Sequence, residues 1–178
     1  MREGLILSAI GHDRPGIVDR ISGAVYQAGC NLEDSRMAIL GGEFALLVLI
    51  AGASERLEGA RRAVEGICSE LELVTQWKNT RIAGPVSGQP GFMPYQVTAV
   101  ALDQPGIVHK IAHVLVQKGV NVADLETRLS HAPDSGAPLF SLELLAQVPA
   151  GVSISTLREA LRELSERENI DLELRAKR

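Results

Sequence analysis

The sequence has few aromatic residues and no excess of basic charge. Phe, Trp and Tyr make up only 3% of its 178 residues, which is too few for a surface that stacks nucleic-acid bases. The formal net charge is −4, so the chain lacks the positive field that draws proteins to phosphate backbones or to anionic lipid. Direct binding to nucleic acid is therefore not expected.

Long apolar runs and paired cysteines are also missing. The longest strong run, 44–51, falls well short of the ~18 residues that a membrane-spanning helix needs. The N-terminus lacks the apolar core of a secretory signal. Neither Cys30 nor Cys68 has another Cys or a His at ligand spacing. We therefore expect a cytoplasmic protein with two reduced core thiols, no membrane contact, no metal and no cofactor.

The sequence does contain an internal repeat. The segment His-Asp-Arg-Pro-Gly-Ile-Val at 12–18 returns as Leu-Asp-Gln-Pro-Gly-Ile-Val at 102–108. The same offset pairs Asn31 with Asn121. A repeated unit of this length divides the whole chain and indicates two similar domains.

A change in composition marks the border between the two copies. Residues 83–91 are rich in Gly and Pro, which interrupt both helices and strands. We therefore predict one domain at 1–83 and a second at 94–178, joined by a linker at 84–93. Each domain is near the small end of the range for independent stability.

Within each copy, strand-like and helix-like patterns of apolar residues alternate in the order βαββαβ. Pro15 is suited to the first turn of a helix, and Gly29 is suited to its end. Gly41 and Gly42 lie between two strand-like runs and indicate a tight hairpin. The predicted elements are 5–10, 15–28, 31–40, 43–51, 54–71 and 72–81 in the first copy, and 95–103, 105–118, 121–131, 139–147, 153–168 and 170–176 in the second.

A βαββαβ unit with right-handed crossovers forms a four-stranded antiparallel sheet with both helices on one face, the ferredoxin-like arrangement. The predicted fold class is therefore α+β, with two tandem ferredoxin-like domains. The strand at 44–50 has apolar residues on both of its faces, which is costly in free energy if one face meets water. We infer contacts through the sheets, with a neighbouring domain or with a second copy in a homo-oligomer.

The turn at 11–16 joins the first strand to the first helix. It presents the free N–H groups of the helix start and the positive end of the helix dipole, which suit a small carboxylate. Gly16 permits close approach of a ligand, while Asp13 can accept bonds from an ammonium group or cap the helix. Asn31 could hold the same zwitterion or satisfy a turn. The residues alone leave open an amino-acid site and a helix start without a ligand.

The pattern Asp-x-Pro-Gly-Ile-Val followed by Gly-x-Asn resembles the ACT domain, a small regulatory module that binds amino acids. The resemblance covers nearly the whole chain. It implies a non-catalytic regulator that senses glycine or serine and acts by binding another protein, such as a transcriptional activator. In ACT domains the ligand usually sits at an interface between two units.

Carried over to this sequence, the resemblance implies a ligand site in each copy. The second loop differs in polarity, because Leu102 and Gln104 replace His12 and Arg14, so we expect unequal occupancy. The implied site residues are His12, Asp13, Arg14, Pro15, Gly16, Ile17, Asn31 and Leu32, with Leu102, Asp103, Gln104, Pro105, Gly106, Ile107, Asn121 and Val122 in the second copy.

Two other functions stay open. The ferredoxin-like fold also occurs in acylphosphatases. If this chain were an enzyme of that type, Arg14 would bind a phosphate and Asn31 would orient a water molecule. Against an enzyme, the turn lacks the glycine run of a phosphate cradle, and His12 has no nucleophile at triad spacing. Alternatively, the chain is an ACT interaction module that regulates another metabolic enzyme.

Overall fold

The computed structural model describes residues 2–82 and 91–177. The chain divides into two compact units, Met1–Val86 and Ser87–Arg178. Most of the predicted linker, 84–90, lies outside the described residues. Its last two positions, 92 and 93, belong to the first strand of the second unit, which begins at Phe92.

Both units have the predicted βαββαβ order, and each folds into one antiparallel four-stranded sheet with two helices. The strand orders are β2-β3-β1-β4 and β6-β7-β5-β8, which confirms the tandem ferredoxin-like fold. In the described residues no helix is long and apolar enough to cross a membrane. The first unit contains β1 (Arg2–His12), α1 (Ile17–Gln27), β2 (Asn31–Leu40), β3 (Glu43–Ala51), α2 (Ser54–Glu70) and β4 (Val74–Ile82). The second contains β5 (Phe92–Leu102), α3 (Ile107–Gln117), β6 (Asn121–His131), β7 (Pro138–Pro149), α4 (Ile154–Glu168) and β8 (Asp171–Ala176).

The first helix of each unit begins two residues later than predicted. Pro15 lies in a turn, and α1 starts at Ile17 after Gly16, whose φ is 91°. Gly106 precedes α3 in the same way, with a φ of 90°. A residue at positive φ lies outside the right-handed helical region, so the helix begins only after it.

The end of α1 follows the prediction. Gly29 has a φ of 70°, and its N–H donates to the carbonyl of Tyr26 at 2.9 Å. The N–H of Cys30 donates to the carbonyl of Val25 at 3.1 Å. These two bonds make the Schellman ending, which satisfies carbonyls that the helix itself leaves free. The chain then turns directly into β2.

Each unit has its own hydrophobic cluster between its helices and one face of its sheet. Ile21 and Ile111, which occupy equivalent positions in α1 and α3, are 1% and 0% exposed. Cys68 is buried and Cys30 is half-buried, and both thiols are free. Burial raises the pKa of both thiols. They behave as small apolar groups rather than as nucleophiles.

Candidate functional site

The loop between β1 and α1 brings six of the predicted site residues together, at 12–17. Residues 12–16 are exposed, whereas Ile17 is only 2% exposed and packs in the core, so its side chain is not available to a ligand. The loop is tied to the adjacent hairpin, because the N–H of Asp13 donates to the carbonyl of Gly42 at 3.5 Å. The second loop is tied in the same way, from the N–H of Asp103 to the carbonyl at position 138, at 2.9 Å.

Neither loop caps its helix with a side chain. Gly16 and Gly106 are the N-cap residues, and neither cap has a side-chain hydrogen bond. The interpretation of Asp13 as a helix cap is therefore wrong. In α4, by contrast, Ser153 accepts a bond from the N–H of Thr156 at 3.4 Å. The first turns of α1 and α3 thus keep N–H groups without a side-chain cap at the positive end of the dipole, where anionic groups bind.

His12 and Arg14 in the first loop each have a glutamate as a neighbour. Arg14 Nη2 lies 2.8 Å from Glu72 Oε2, in the connection between α2 and β4. His12 Nδ1 lies 3.8 Å from Glu43 Oε1, which the register of β1 on β3 places opposite it. Sequence reasoning missed both glutamates, because each contact joins elements that are distant in the sequence. The guanidinium of Arg14 is therefore already paired with a carboxylate rather than free.

The second loop has a neutral counterpart to this arrangement. Gln104 replaces Arg14, and its Nε2 donates to the backbone carbonyl of Glu168 at 3.2 Å, at the end of α4. Leu102, in the position of His12, is 59% exposed. The two loops share their backbone geometry and differ in the polarity of the side chains around it.

Asn31 and Leu32 lie at the opposite end of the first sheet from the loop. Asn31 pairs with Ala51 of β3, which pairs with Gly4 of β1, eight residues before His12. At about 3.3 Å per residue, this separation is about 26 Å. Asn31 and the loop therefore do not meet on one small amino acid within a unit, contrary to the expectation from the sequence.

The second unit repeats this separation. Asn121 pairs with Gln147, which pairs with Pro94 near the start of β5, while Leu102 ends that strand. The distance in the first unit also argues against an acylphosphatase site, because Arg14 and Asn31 lie at opposite ends of the sheet and cannot reach one substrate within a unit. Among residues 2–82 and 91–177, no three His, Cys, Asp or Glu side chains gather to hold a metal.

Asn31 has its own surroundings. It is exposed in a cleft of about 520 Å³ that it lines together with Cys30 and Gly52. The guanidinium of Arg56 borders this region and donates to the carbonyl of Gly29 at 3.4 Å. Counting outward from the Gly41–Gly42 turn would have placed these groups together, because the strands of a hairpin pair in antiparallel register.

The equivalent residues of the second unit are less free. Asn121 Nδ2 donates to Gln147 Oε1 at 2.9 Å, so its amide already has a partner. Leu32 and Val122, which follow the two asparagines, are half-buried and pack against the cores of their units. Of these four residues, Asn31 is the polar side chain that remains most open to a ligand.

Comparison with known proteins gives consistent matches. A family model of the ACT domain matches residues 3–78. The chain is 30% identical over 160 residues to the glycine cleavage system transcriptional repressor of Escherichia coli (strain K12), covering 90% of this chain and 83% of that protein. The repressor of Shigella flexneri matches to the same extent.

Two solved structures are similar over the full length of the chain. A protein of unknown function from Galdieria sulphuraria has a TM-score of 0.83 and 29% identity, and covers 100% of both chains. A crystal structure provisionally assigned as a glycine cleavage system transcriptional repressor has a TM-score of 0.72 and 26% identity, covering 100% of this chain and 99% of the other.

Proposed function

The chain belongs to the ACT-domain family that includes the glycine cleavage system transcriptional repressor, and from this membership we propose what it senses and how it acts. It is a non-catalytic regulator in the cytoplasm that binds glycine or serine and controls transcription of glycine cleavage genes through contact with another protein, such as a transcriptional activator. Membership of the family supports the regulatory role. The proposed domains are 1–83 and 94–178.

The observation that carries the proposal is the open start of α1 and of α3. Their N-cap glycines, Gly16 and Gly106, leave the first helical N–H groups without a side-chain cap. The carboxylate of a free amino acid would bind these groups. Its ammonium group would bind the exposed carboxylate of Asp13 or Asp103. A zwitterion with a small side chain fits a loop that a glycine keeps open.

The proposed site needs a second unit for its other half. Since Asn31 lies about 26 Å along the sheet from the loop of its own unit, one amino acid would take its loop from one ACT unit and its asparagine from another. A homo-oligomer would supply such a pair. The equivalent half-site of the second unit should bind the amino acid more weakly, because the amide of Asn121 already donates to Gln147.

The size of the ligand limits its affinity. Glycine has five non-hydrogen atoms, and at a ceiling of about 1.5 kcal/mol per atom it gains roughly 7.5 kcal/mol, which is a Kd of micromolar order at best. Values from tens of micromolar to millimolar suit the proposal. A sensor of this kind responds to a metabolite that is abundant in the cell.

Calorimetric titration of the folded chain with each of the twenty amino acids tests the ligand. We expect heat of binding with glycine or serine. Two matched controls separate the halves of the zwitterion: glycinamide lacks the carboxylate and acetate lacks the ammonium, so both should bind much more weakly than glycine. Absence of heat with every amino acid would remove the sensor function.

A mobility-shift assay with the control region of the glycine cleavage genes tests the mode of regulation. We expect no shift with this protein alone, in keeping with a net charge of −4. A shift by the purified chain would contradict regulation through a protein partner. Unchanged transcript levels of those genes after deletion of the protein would instead favour an ACT module that regulates another metabolic enzyme.

A further inference from the structure

The first sheet has one face without helices, which we call the open face. Residues directly opposite each other in antiparallel strands share a face, so the register of the four strands assigns each side chain. The open face carries exposed apolar side chains at its centre and edge: Leu47 is 50% exposed, Ile10 53% and Val74 74%. Single exposed leucines are ordinary, but a cluster on one sheet face indicates an interaction surface.

The fold itself does not require an apolar face here. In the second unit, Glu143 occupies the position of Leu47, at the centre of the corresponding face. Glu126 lies opposite it on β6, and the same row across the sheet ends at Glu173 of β8. The second sheet therefore has three carboxylates in the row where the first sheet has Leu47, although Val100 and Leu102 on the same face are also exposed.

We propose that the open face of the first sheet packs against the same face of a second copy of the chain, about a two-fold axis parallel to the strands. Such an axis keeps each residue at its level along the strands and reverses the strand order. β2 then faces β4 of the other copy, and β3 faces its β1. An isologous contact of this kind requires every row of the face to match its own reverse.

The row nearest the start of β1 meets this requirement. From β2 to β4 it reads Asp34, Leu49, Ile6 and Lys78. Reversed across the axis, each Asp34 carboxylate faces a Lys78 ammonium group, and each Leu49 faces Ile6. Within the described residues neither Asp34 nor Lys78 has an ion-pair partner of its own chain. The two-fold therefore produces two opposite-charge pairs at the corners of an apolar contact.

The rows further along the strands contain no like-charge contact. The central row reads Arg36, Leu47, Ser8 and Gln76, and its reverse places Leu47 over Ser8 and Arg36 over Gln76. The next row reads Ala38, Ala45, Ile10 and Val74, which is apolar throughout and places Ala45 over Ile10. At the end of the strands, Glu43 would face His12 of the other copy, and His12 would face Glu43 of the other copy. In the second sheet, the row that corresponds to the Leu47 row would place Glu126 over Glu173, so the same contact is disfavoured there.

The area of the face is sufficient for a weak dimer. Four strands about 4.8 Å apart and four rows about 6.6 Å apart cover roughly 500 Å² in each copy, or about 1,000 Å² in total. Specific interfaces begin near this size, and those at the lower end are transient. We expect a dimer with micromolar dissociation. The contact reaches His12 at the edge of the first loop but uses neither the N–H groups at the start of α1 nor Asp13, so it goes beyond the proposed function and is tested separately from it.

Sedimentation velocity of the full chain over a range of concentrations tests the dimer. We expect Leu47→Lys to weaken self-association by at least about tenfold, because it buries an ammonium group at the centre of the contact, beside Arg36 and with no carboxylate in its row. Val100→Lys is the matched control on the open side of the second sheet, since Val100 is 47% exposed where Leu47 is 50% exposed. It should leave self-association unchanged. Circular dichroism checks that both variants fold.

A charge exchange tests the register itself. Asp34→Lys and Lys78→Asp should each weaken the dimer about tenfold, and the double variant should restore it to within about threefold of the wild type. A wild-type chain that stays monomeric at a few hundred micromolar, far above roughly micromolar dissociation, would overturn the proposal. Self-association insensitive to Leu47→Lys, or no restoration in the double variant, would do so too.

Discussion

At the scale of single residues, one glycine sets the shape of each strand–helix loop. Gly16 and Gly106 have φ values of 91° and 90° and nearly the same ψ, although the residues around them differ in charge. A Cβ added at Gly16 would meet nothing within 4 Å. The requirement for glycine therefore comes from the backbone conformation and from the space above the loop, not from crowding within the folded chain.

This makes Gly16→Ala a selective test of the loop. Forcing alanine to positive φ costs about 1–2 kcal/mol of stability. Gly91→Ala is the matched control, because Gly91 has a φ of 95° and also has nothing within 4 Å of its Cβ position. Both variants should melt at a lower temperature in calorimetry. Only Gly16→Ala should reduce the number of amino acids bound per chain.

Binding at wild-type stoichiometry in Gly16→Ala would place the ligand elsewhere. If Gly106→Ala kept the wild-type stoichiometry and Gly16→Ala did not, the ligand would bind only at the first loop. Equal loss of binding in Gly91→Ala would mean that general destabilisation, rather than the loop, controls affinity.

At the scale of elements, the sequence predicts the hairpin strands best. The bounds of β2 and β3 match the prediction because Gly41 and Gly42, with φ values of 63° and 88°, fix the turn and with it the register on both sides. The start of α1 was predicted less well, since Pro15 is equally suited to a turn and to a helical first turn. Local sequence cannot distinguish these two roles.

The candidate site shows which contacts between residues cannot be predicted from the positions of the helices and strands. The loop at 12–17 is contiguous, so the repeat located it directly. The separation of Asn31 from the loop depends on the direction of each strand, because α1 carries the chain back to the end of the sheet where β1 starts. The partnership of Arg14 with Glu72 depends on long-range packing between α1 and α2, which no local pattern in this sequence reveals.

Both units join their two helices with an ion pair at the same place. Arg20 in α1 pairs with Glu70, the last residue of α2. Lys110 in α3 pairs with Glu168, the last residue of α4, at 2.6 Å. The second pair is the less exposed one, since the side chain of Glu168 is 21% exposed. It ties the end of α4 to the helix that starts at the second loop.

The pair at Glu168 predicts a pH dependence of stability. Hydrogen bonds from Lys110 and then from Arg167 lower the pKa of Glu168 below its ordinary value of 4.5. A lowered folded-state pKa stabilises the fold above the ordinary value, and this stabilisation is lost as pH falls through the lowered one. Glu168→Gln should therefore reduce the melting temperature at pH 7, and the difference from wild type should shrink below about pH 4.

Calorimetric melting at a series of pH values provides the measurement. Glu166→Gln is the control, because Glu166 pairs with Arg162 on the surface of the same helix and is 63% exposed. Exposed pairs of this type contribute little. A difference between Glu168→Gln and wild type that stayed constant from pH 7 to pH 3 would rule out the ion pair as its cause.

At the scale of the whole molecule, each hydrophobic cluster lies within a single unit. The only tryptophan of the chain, Trp77, packs against the cluster of the first unit, with the guanidinium carbon of Arg61 5.8 Å from the centroid of its ring. Its indole N–H is buried without a hydrogen-bond partner among the described residues. Tryptophan emission therefore reports the folding of one unit.

Two equivalent substitutions use this reporter. Ile21→Val and Ile111→Val remove the same methyl group from the two cores, and each should destabilise its own unit by about 1 kcal/mol. For a unit of this size, that is a shift of about 4–8 °C in the melting temperature. Only Ile21→Val should shift the melting transition seen by Trp77 fluorescence, whereas circular dichroism should respond to both. Equal shifts of the fluorescence transition would show that the units unfold together.

The difference in polarity between the two loops has a consequence for the proposed sensor. His12 and Arg14 lie beside glutamates in the first loop, while Leu102 and Gln104 hold the same positions in the second. Identical backbones with different side chains would give one chain two unequal affinities for the same metabolite. Its saturation curve would then be broader than that of a single site, and the regulator would grade its output over a wide range of metabolite concentration instead of switching at one threshold.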